Sequence, residues 1–200
     1  MIELFTQKNN SEMQDSASMS VKHDYSLFIV ADGAGGIGDG KHASQNAIDF
    51  VHSFLTGKEI TLNNVKSCIK HVDHQLSLCD NYGETTLIVL IQTNNQIFGA
   101  SVGDSSAIMV SKALVHDLTE NQIRKPLVGS GEASPVGFGP LNVNGSIIIG
   151  TDGLFKYANF QKITEYMNDN RSASEIAGLA RLKSGAFSDD IAFILSKPQA

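Results

Sequence analysis

Aspartates recur at the ends of apolar, strand-like runs of this sequence. Four of them share this placement, and a fifth lies in the polar N-terminal region; they are Asp32, Asp104, Asp152, Asp189 and, near the N-terminus, Asp15. Asp32 is followed by Gly33, and a glycine there lets backbone atoms approach whatever the carboxylate holds. Mg²⁺ and Mn²⁺ prefer oxygen ligands, so this pattern favours a site for hard divalent cations.

Other interpretations of the glycine-rich stretch must be weighed first. Residues 33–38 match the GxGxxG pattern of dinucleotide sites. That fold requires parallel strands joined by helices, whereas the strands predicted after residue 85 are joined by short hairpins. An EF-hand is disfavoured because Ala34 and Gly36 stand where oxygen ligands are needed. A tight strand-to-helix turn without chemistry stays open at this point. Zinc is not expected, since none of the six histidines lies in a metal motif.

Hydrophobic periodicity predicts alternating groups of strands and helices. The predicted strands cover residues 2–5, 25–31, 85–93, 96–103, 107–110, 114–118, 146–151 and 191–195, and the predicted helices cover 42–55, 62–79, 159–167 and 174–182. Ser172 and Glu175 form a capping box before the last helix. Residues 119–145 contain many glycines and prolines and are expected to form a loop or flap.

Composition and charge limit the class of protein. A chain of 200 residues with 42% hydrophobic content suits a single domain over residues 1–200 with a substantial core. A net charge of −6 disfavours nucleic acid as a partner, because no basic stripe neutralises phosphates. No apolar run approaches membrane-spanning length, and the first residues lack the apolar region of a signal peptide. We therefore expect a cytoplasmic protein without a membrane partner.

Six short motifs, in this order along the chain, give the sequence a family resemblance. They are Gln14-Asp15, Val30-Ala-Asp-Gly-Ala-Gly-Gly36, Gly83-Glu-Thr-Thr-Leu87, Val102-Gly-Asp-Ser105, Thr151-Asp-Gly-Leu154 and Ser188-Asp-Asp-Ile191. The set resembles the metal-dependent serine/threonine protein phosphatases of type 2C, in their bacterial form. The resemblance implies an α+β fold, namely a four-layer α-β-β-α sandwich of two antiparallel sheets flanked by helices.

The resemblance also implies a binuclear Mn²⁺ or Mg²⁺ site. Asp32 would bridge the two ions, Asp152 and Asp189 would complete the shell of the first, and the Gly33 carbonyl would serve the second. A water between the ions would attack the phosphoester, without a covalent enzyme intermediate. Asp32, Asp152 and Asp189 are thus the expected catalytic residues.

Further residues have implied roles around this pair of ions. Asp15 would hold a metal-bound water, and Asp104 matches the position that helps to bind a third, weaker ion in bacterial members. The family usually has a phosphate-binding arginine where this chain has Asn10, and Lys8 is the nearest cation. Lysine lacks the bidentate fork that arginine offers to phosphate.

Two functions are therefore expected to compete. The first is a monomeric signalling hydrolase that acts on phosphoserine and phosphothreonine in a phosphorylated protein substrate and so opposes a kinase. The alternative is a catalytically weak, phosphatase-like regulatory or binding module. The aspartates favour the enzyme, and the missing arginine favours the module.

Overall fold

Ten strands form the centre of the molecule in the computed structural model, which describes residues 1–9, 12–36, 39–79, 83–112 and 114–198. In chain order they are Ile2–Gln7 (β1), Asp15–Val21 (β2), Ser26–Asp32 (β3), Leu87–Gln92 (β4), Gln96–Val102 (β5), Ser106–Ser111 (β6), Leu114–Asp117 (β7), Val136–Asn142 (β8), Ser146–Gly150 (β9) and Ile191–Ser196 (β10). One sheet has the order β1-β10-β9-β6-β7 and the other β2-β3-β4-β5-β8, with every neighbouring pair antiparallel.

Helices cover the outer faces of both sheets. They are Gly40–Leu55 (α1), Leu62–Ser77 (α2), Asp152–Phe155 (α3), Phe160–Asn168 (α4) and Ala173–Gly178 (α5). α1 and α2 contact the sheet that contains β3, whereas α3, α4 and α5 contact the sheet that contains β10. The predicted capping box of Ser172 and Glu175 is present at the start of α5. These layers confirm the predicted α+β sandwich, and the antiparallel sheets exclude the dinucleotide-binding fold.

Strand β3 illustrates why the centre of the sandwich is apolar throughout. Its side chains alternate, so Leu27, Ile29 and Ala31 pack towards α1 and α2, while Phe28 and Val30 pack against the opposite sheet. Both faces of the strand are covered, and all five residues are buried. A continuous apolar run therefore forms a strand here without polar alternation.

Strand β2 was not expected from the sequence. Its residues Asp15-Ser-Ala-Ser-Met-Ser-Val lack the β-branched character of the central strands. β2 lies at the edge of its sheet, where most of its side chains are partly exposed, so serines are tolerated there. The sequence prediction assigned no strand between residues 6 and 24, whereas the structure has one that begins at Asp15.

The loop expected over residues 119–145 also contains a strand. β8 pairs with β5 and forms the other edge of that sheet, although it includes Gly137, Gly139 and Pro140. Proline is tolerated on an edge strand because one side of the strand has no ladder to complete. Turn-forming residues therefore did not prevent pairing.

A buried carboxylate fastens the remainder of this region to α2. Asp73 is 4% exposed, and its oxygens accept backbone N–H bonds from Gly129 at 2.8 Å, from Gly131 at 3.0 Å and from Ala133 at 3.0 Å. The same segment also pairs with the residues just before β4. Thr85 and Val128 exchange two backbone hydrogen bonds there, of 2.9 and 3.0 Å. One side chain thus satisfies three backbone donors, of which the N–H of Ala133 is buried, in a loop that supports the end of the sheet.

No helix within the described ranges has both the length and the hydropathy of a transmembrane segment.

We expect Asp73→Ala to lower the free energy of unfolding by about 1–3 kcal/mol, chiefly because the buried N–H of Ala133 would lose its acceptor. Asp73→Asn keeps one acceptor oxygen and should cost less. Urea unfolding of both variants measures the difference. Equal stability of the wild type and Asp73→Ala would contradict the role of this carboxylate as an anchor.

Candidate metal centre

Aspartates from both sheets meet at one end of the sandwich. Asp32 is the last residue of β3, Asp15 the first of β2 and Asp152 the first of α3, while Asp104 lies between β5 and β6 and Asp189 shortly before β10. Each of them acts electrostatically on at least one other member of the group. The structure therefore brings together all five aspartates that the sequence singled out.

The pairing of β2 with β3 sets the closest contact in the group. The antiparallel register places Asp15 directly opposite Asp32, and their carboxyl groups are within hydrogen-bonding reach of each other. Burial raises the pKa of both, and repulsion by neighbouring carboxylates raises both further; for Asp32 these neighbours are Asp15, Asp152 and Asp104. A hydrogen bond from Thr151 opposes the rise for Asp15. Two adjacent buried carboxyls cannot easily both ionise, so the pair retains a proton well above the ordinary carboxyl range.

Asp152 lies in a more open part of the group. Its side chain is 31% exposed, and its pKa is raised by burial first and then by repulsion from Asp189. Lys156, one helical turn later, opposes this effect, with its Nζ 3.9 Å from Oδ2 of Asp152. Lys156 was not identified from the sequence, because the short helix α3 was not predicted and the i,i+4 relation was therefore not apparent.

Backbone bonds fix the position of Asp32 in the sheet. Its N–H donates to Thr86 Oγ1 at 2.9 Å, and its carbonyl accepts from Thr85 Oγ1 and from the Thr86 N–H, both at 2.9 Å. Gly33, the next residue, packs against the first residue of α1. A Cβ atom on Gly33 would collide with the carbonyl of Gly40. A glycine at this position is thus required by the strand-to-helix connection itself, and the expected approach of Gly33 to a bound cation stays a prediction.

Asp190, next to Asp189 in the chain, is a buried acid that sequence reasoning did not place in the site. It is 8% exposed, and its carboxylate accepts the backbone N–H of Asn9 at 2.8 Å and that of Gln14 at 2.7 Å. These bonds tie the segment before β2 to the start of β10. Asp190 thereby holds Asp15 near Asp189, and the proximity of Asp190 contributes to the raised pKa of Asp15.

The sequence named Lys8 and Asn10 as candidate phosphate-binding residues. Lys8 is exposed and forms no ion pair with any residue in the described ranges. Asn10 lies outside the described residues, so its predicted role stays a prediction.

The donor set fits Mg²⁺ or Mn²⁺ by its chemistry. Its side-chain ligands are carboxylates, the oxygen donors that these ions prefer, and the repulsion among them is of the kind that a divalent cation relieves. Among the described residues, no three His, Cys, Asp or Glu side chains converge closely enough to enclose an ion by themselves. Mg²⁺ does not require such a cage, because it retains several waters and takes one or two carboxylates.

We expect Asp32→Asn to stabilise the protein when a chelator is present at about pH 8, by about 1–2 kcal/mol, because at this pH the wild type must take up a proton at Asp32 on folding, whereas asparagine is neutral in both states. The raised pKa means that the folded state binds a proton more tightly than the unfolded state, so the wild type loses stability as pH rises above the ordinary carboxyl pKa. The gain should therefore disappear at about pH 4, where the wild-type pair is protonated. Thermal unfolding at the two pH values measures it.

Asp49→Asn is the matched control, since Asp49 is exposed on α1. It should change stability little at either pH. If Asp32→Asn were less stable than the wild type at both pH values, the repulsion inferred from the geometry would be absent.

Comparison with known proteins agrees with this architecture. Among solved structures, the serine/threonine phosphatase Stp1 of Staphylococcus aureus superposes with a TM-score of 0.81 at 19% identity, covering 100% of this chain and 95% of that one. RsbX in complex with magnesium superposes with a TM-score of 0.72 at 21% identity, covering 97% of this chain and 92% of that one. At these identities the likeness establishes the fold.

Sequence comparison establishes the family. The serine/threonine phosphatase Stp of Listeria monocytogenes is 30% identical over 128 residues, covering 56% of this chain and 50% of the relative. The chain therefore aligns with about half the length of this curated relative. The family model described as protein phosphatase 2C matches residues 5–125, which is more than half of the chain. This chain belongs to the protein phosphatase 2C family.

Proposed function

We propose that residues 1–200 form a single catalytic domain that hydrolyses phosphoserine and phosphothreonine esters in phosphorylated proteins. The observation that carries this proposal is the meeting of five aspartates from both sheets at one end of the sandwich. Such a concentration of negative charge is unfavourable without cations, and its position matches the motifs by which the chain resembles the metal-dependent phosphatases. The relation to the Listeria phosphatase supports the same class of substrate.

The proposed ligands are those of the sequence prediction. Asp32 would be shared by two Mn²⁺ or Mg²⁺ ions, with Asp152 and Asp189 serving the first and the Gly33 carbonyl the second, while Asp104 would serve a third, weaker ion. The magnesium bound to RsbX supports this choice of metal. When bound, such ions lower the pKa of water and neutralise charge on the phosphoryl oxygens.

The protein groups around the ions would orient the reactants. Asp15 lies opposite Asp32 in the strand register, so its carboxylate could accept a hydrogen bond from the attacking water. Asp190 maintains this arrangement through its bonds to the segment before β2. These groups are positioned before substrate arrives, which reduces the reorganisation needed during the reaction.

A second candidate function is a regulatory or binding module with little turnover. It is favoured by two observations on the described residues. Lys8 forms no ion pair with any of them, and no arginine among them forms an ion pair with one of the five aspartates. Such a module would bind divalent ions and phosphoprotein but release phosphate at close to the background rate.

We expect hydrolysis of a phosphothreonine peptide to require added Mn²⁺ or Mg²⁺ and to stop with a chelator, because oxygen-ligated ions that retain several waters can be removed. Asp32→Asn and Asp152→Asn should each lower kcat/KM by about 100-fold or more, since they remove charge from the ligands without changing volume. Asp104→Asn should chiefly raise the metal concentration needed. Steady-state assays across metal concentrations measure all three effects.

Asp49→Asn again serves as the control and should retain wild-type kinetics. Full turnover by the chelated wild type would rule out the metal-dependent mechanism. Turnover close to background, together with measurable Mn²⁺ binding, would instead support the regulatory module.

A further inference from the structure

Lys156 is a cation that lies beside the proposed metal ligands. The proposed mechanism gives this lysine no role. It caps α3 one turn after Asp152, and the ammonium lies 3.9 Å from a carboxylate oxygen of that residue. Within the described ranges, no other lysine or arginine forms an ion pair with any of the five aspartates.

The contact between Lys156 and Asp152 is loose. The Lys156 side chain is 58% exposed, and the separation of 3.9 Å is beyond hydrogen-bonding distance. An exposed pair at this distance holds its partners only weakly. The four-carbon stem of lysine also allows the ammonium to move away from Asp152 while its Cα stays in place.

A phosphoryl group at this end of the sandwich needs positive charge to offset the aspartates, and a cationic side chain can supply part of it beside the ions. The side chains at the site are predominantly carboxylates, which repel a phosphate dianion. Divalent ions on Asp152 and Asp189 would weaken the attraction of Lys156 for Asp152 and draw phosphate to the same place. The ammonium would then have a better partner in a phosphoryl oxygen, to which lysine binds as a point charge.

We propose that Lys156 binds the phosphoryl group of the substrate from α3. The inference rests on the proposed function, because it assumes that phosphate occupies the centre formed by the aspartates. It places the substrate-binding cation on the C-terminal side of Asp152, whereas the sequence prediction placed it at Lys8, in the segment before β2. Lys156 exchanges partners, pairing with Asp152 before metal binding and with phosphate afterwards.

The test measures the binding of inorganic phosphate to the Mn²⁺-loaded protein by calorimetry, together with KM for a phosphothreonine peptide. Lys156→Ala should weaken phosphate binding about five- to tenfold and raise KM by a similar factor, as expected for loss of one exposed charge-assisted contact. Lys156→Arg should retain most of the affinity. The matched control is Lys162→Ala on α4, because Lys162 is also 58% exposed and paired with an acid, Glu165.

A separate titration with Mn²⁺ distinguishes a role towards phosphate from a role towards the metal. If Lys156 is only a counter-ion of Asp152, Lys156→Ala tightens Mn²⁺ binding and leaves the phosphate affinity within twofold of wild type, which overturns the proposal. Loss of phosphate affinity in Lys8→Ala but not in Lys156→Ala also overturns it, as does a wild type that binds no phosphate. Phosphate binding needs no turnover, so an inactive wild type that binds phosphate through Lys156 would contradict the proposed function and support this inference.

Discussion

The contact between Asp15 and Asp32 is the constraint on which the site depends. Two carboxyl groups lie side by side and largely away from water because the register of β2 and β3 leaves them no alternative. A shift of β3 by one residue would turn Asp32 to the opposite face and disturb the whole apolar alternation of this strand. The burial of Phe28 and Ile29 therefore holds the unfavourable carboxylate pair in place.

The surrounding structure is organised to support this contact. Thr85 and Thr86 hold the backbone of Asp32, Asp190 holds the segment before Asp15, and Asp73 fastens the loop that pairs with Thr85. Two buried acids lie outside the group of five aspartates. Asp190 accepts two backbone N–H bonds and Asp73 accepts three, so the charge of each is compensated by hydrogen bonds. The aspartates at the site have fewer such partners and remain available to a cation. Satisfied acids thus stabilise the fold, while unsatisfied acids define the candidate centre.

Much of this arrangement could be predicted from the sequence because its signals are local. Apolar runs located β3, β4 and β10, periodicity located α1 and α2, and the order of motifs predicted the sandwich. β2 and β8 escaped prediction because an edge strand derives its stability from one neighbour and tolerates serine, glycine and proline. The five aspartates were identified from their positions next to apolar runs and from the motifs, although their roles stay proposals.

Asp190 and Lys156 were missed for different reasons. The bonds of Asp190 reach residues 181 and 176 positions away, which no local pattern indicates. Lys156 gained its significance only from the short helix α3. The sequence supplied the chemical groups, while the topology determined which of them meet.

The pairing of β1 with β10 has a consequence for how the protein is made. Ile2 lies opposite Ser196, so the first and last strands are neighbours, and Asp189 arrives at the site with the last strand. During synthesis from the N-terminus, β1 has no sheet neighbour until β10 has been made, and Asn9 and Gln14 gain their bonds to Asp190 only then. The candidate centre therefore cannot assemble before β10 has been synthesised, so metal binding would report that this strand is present.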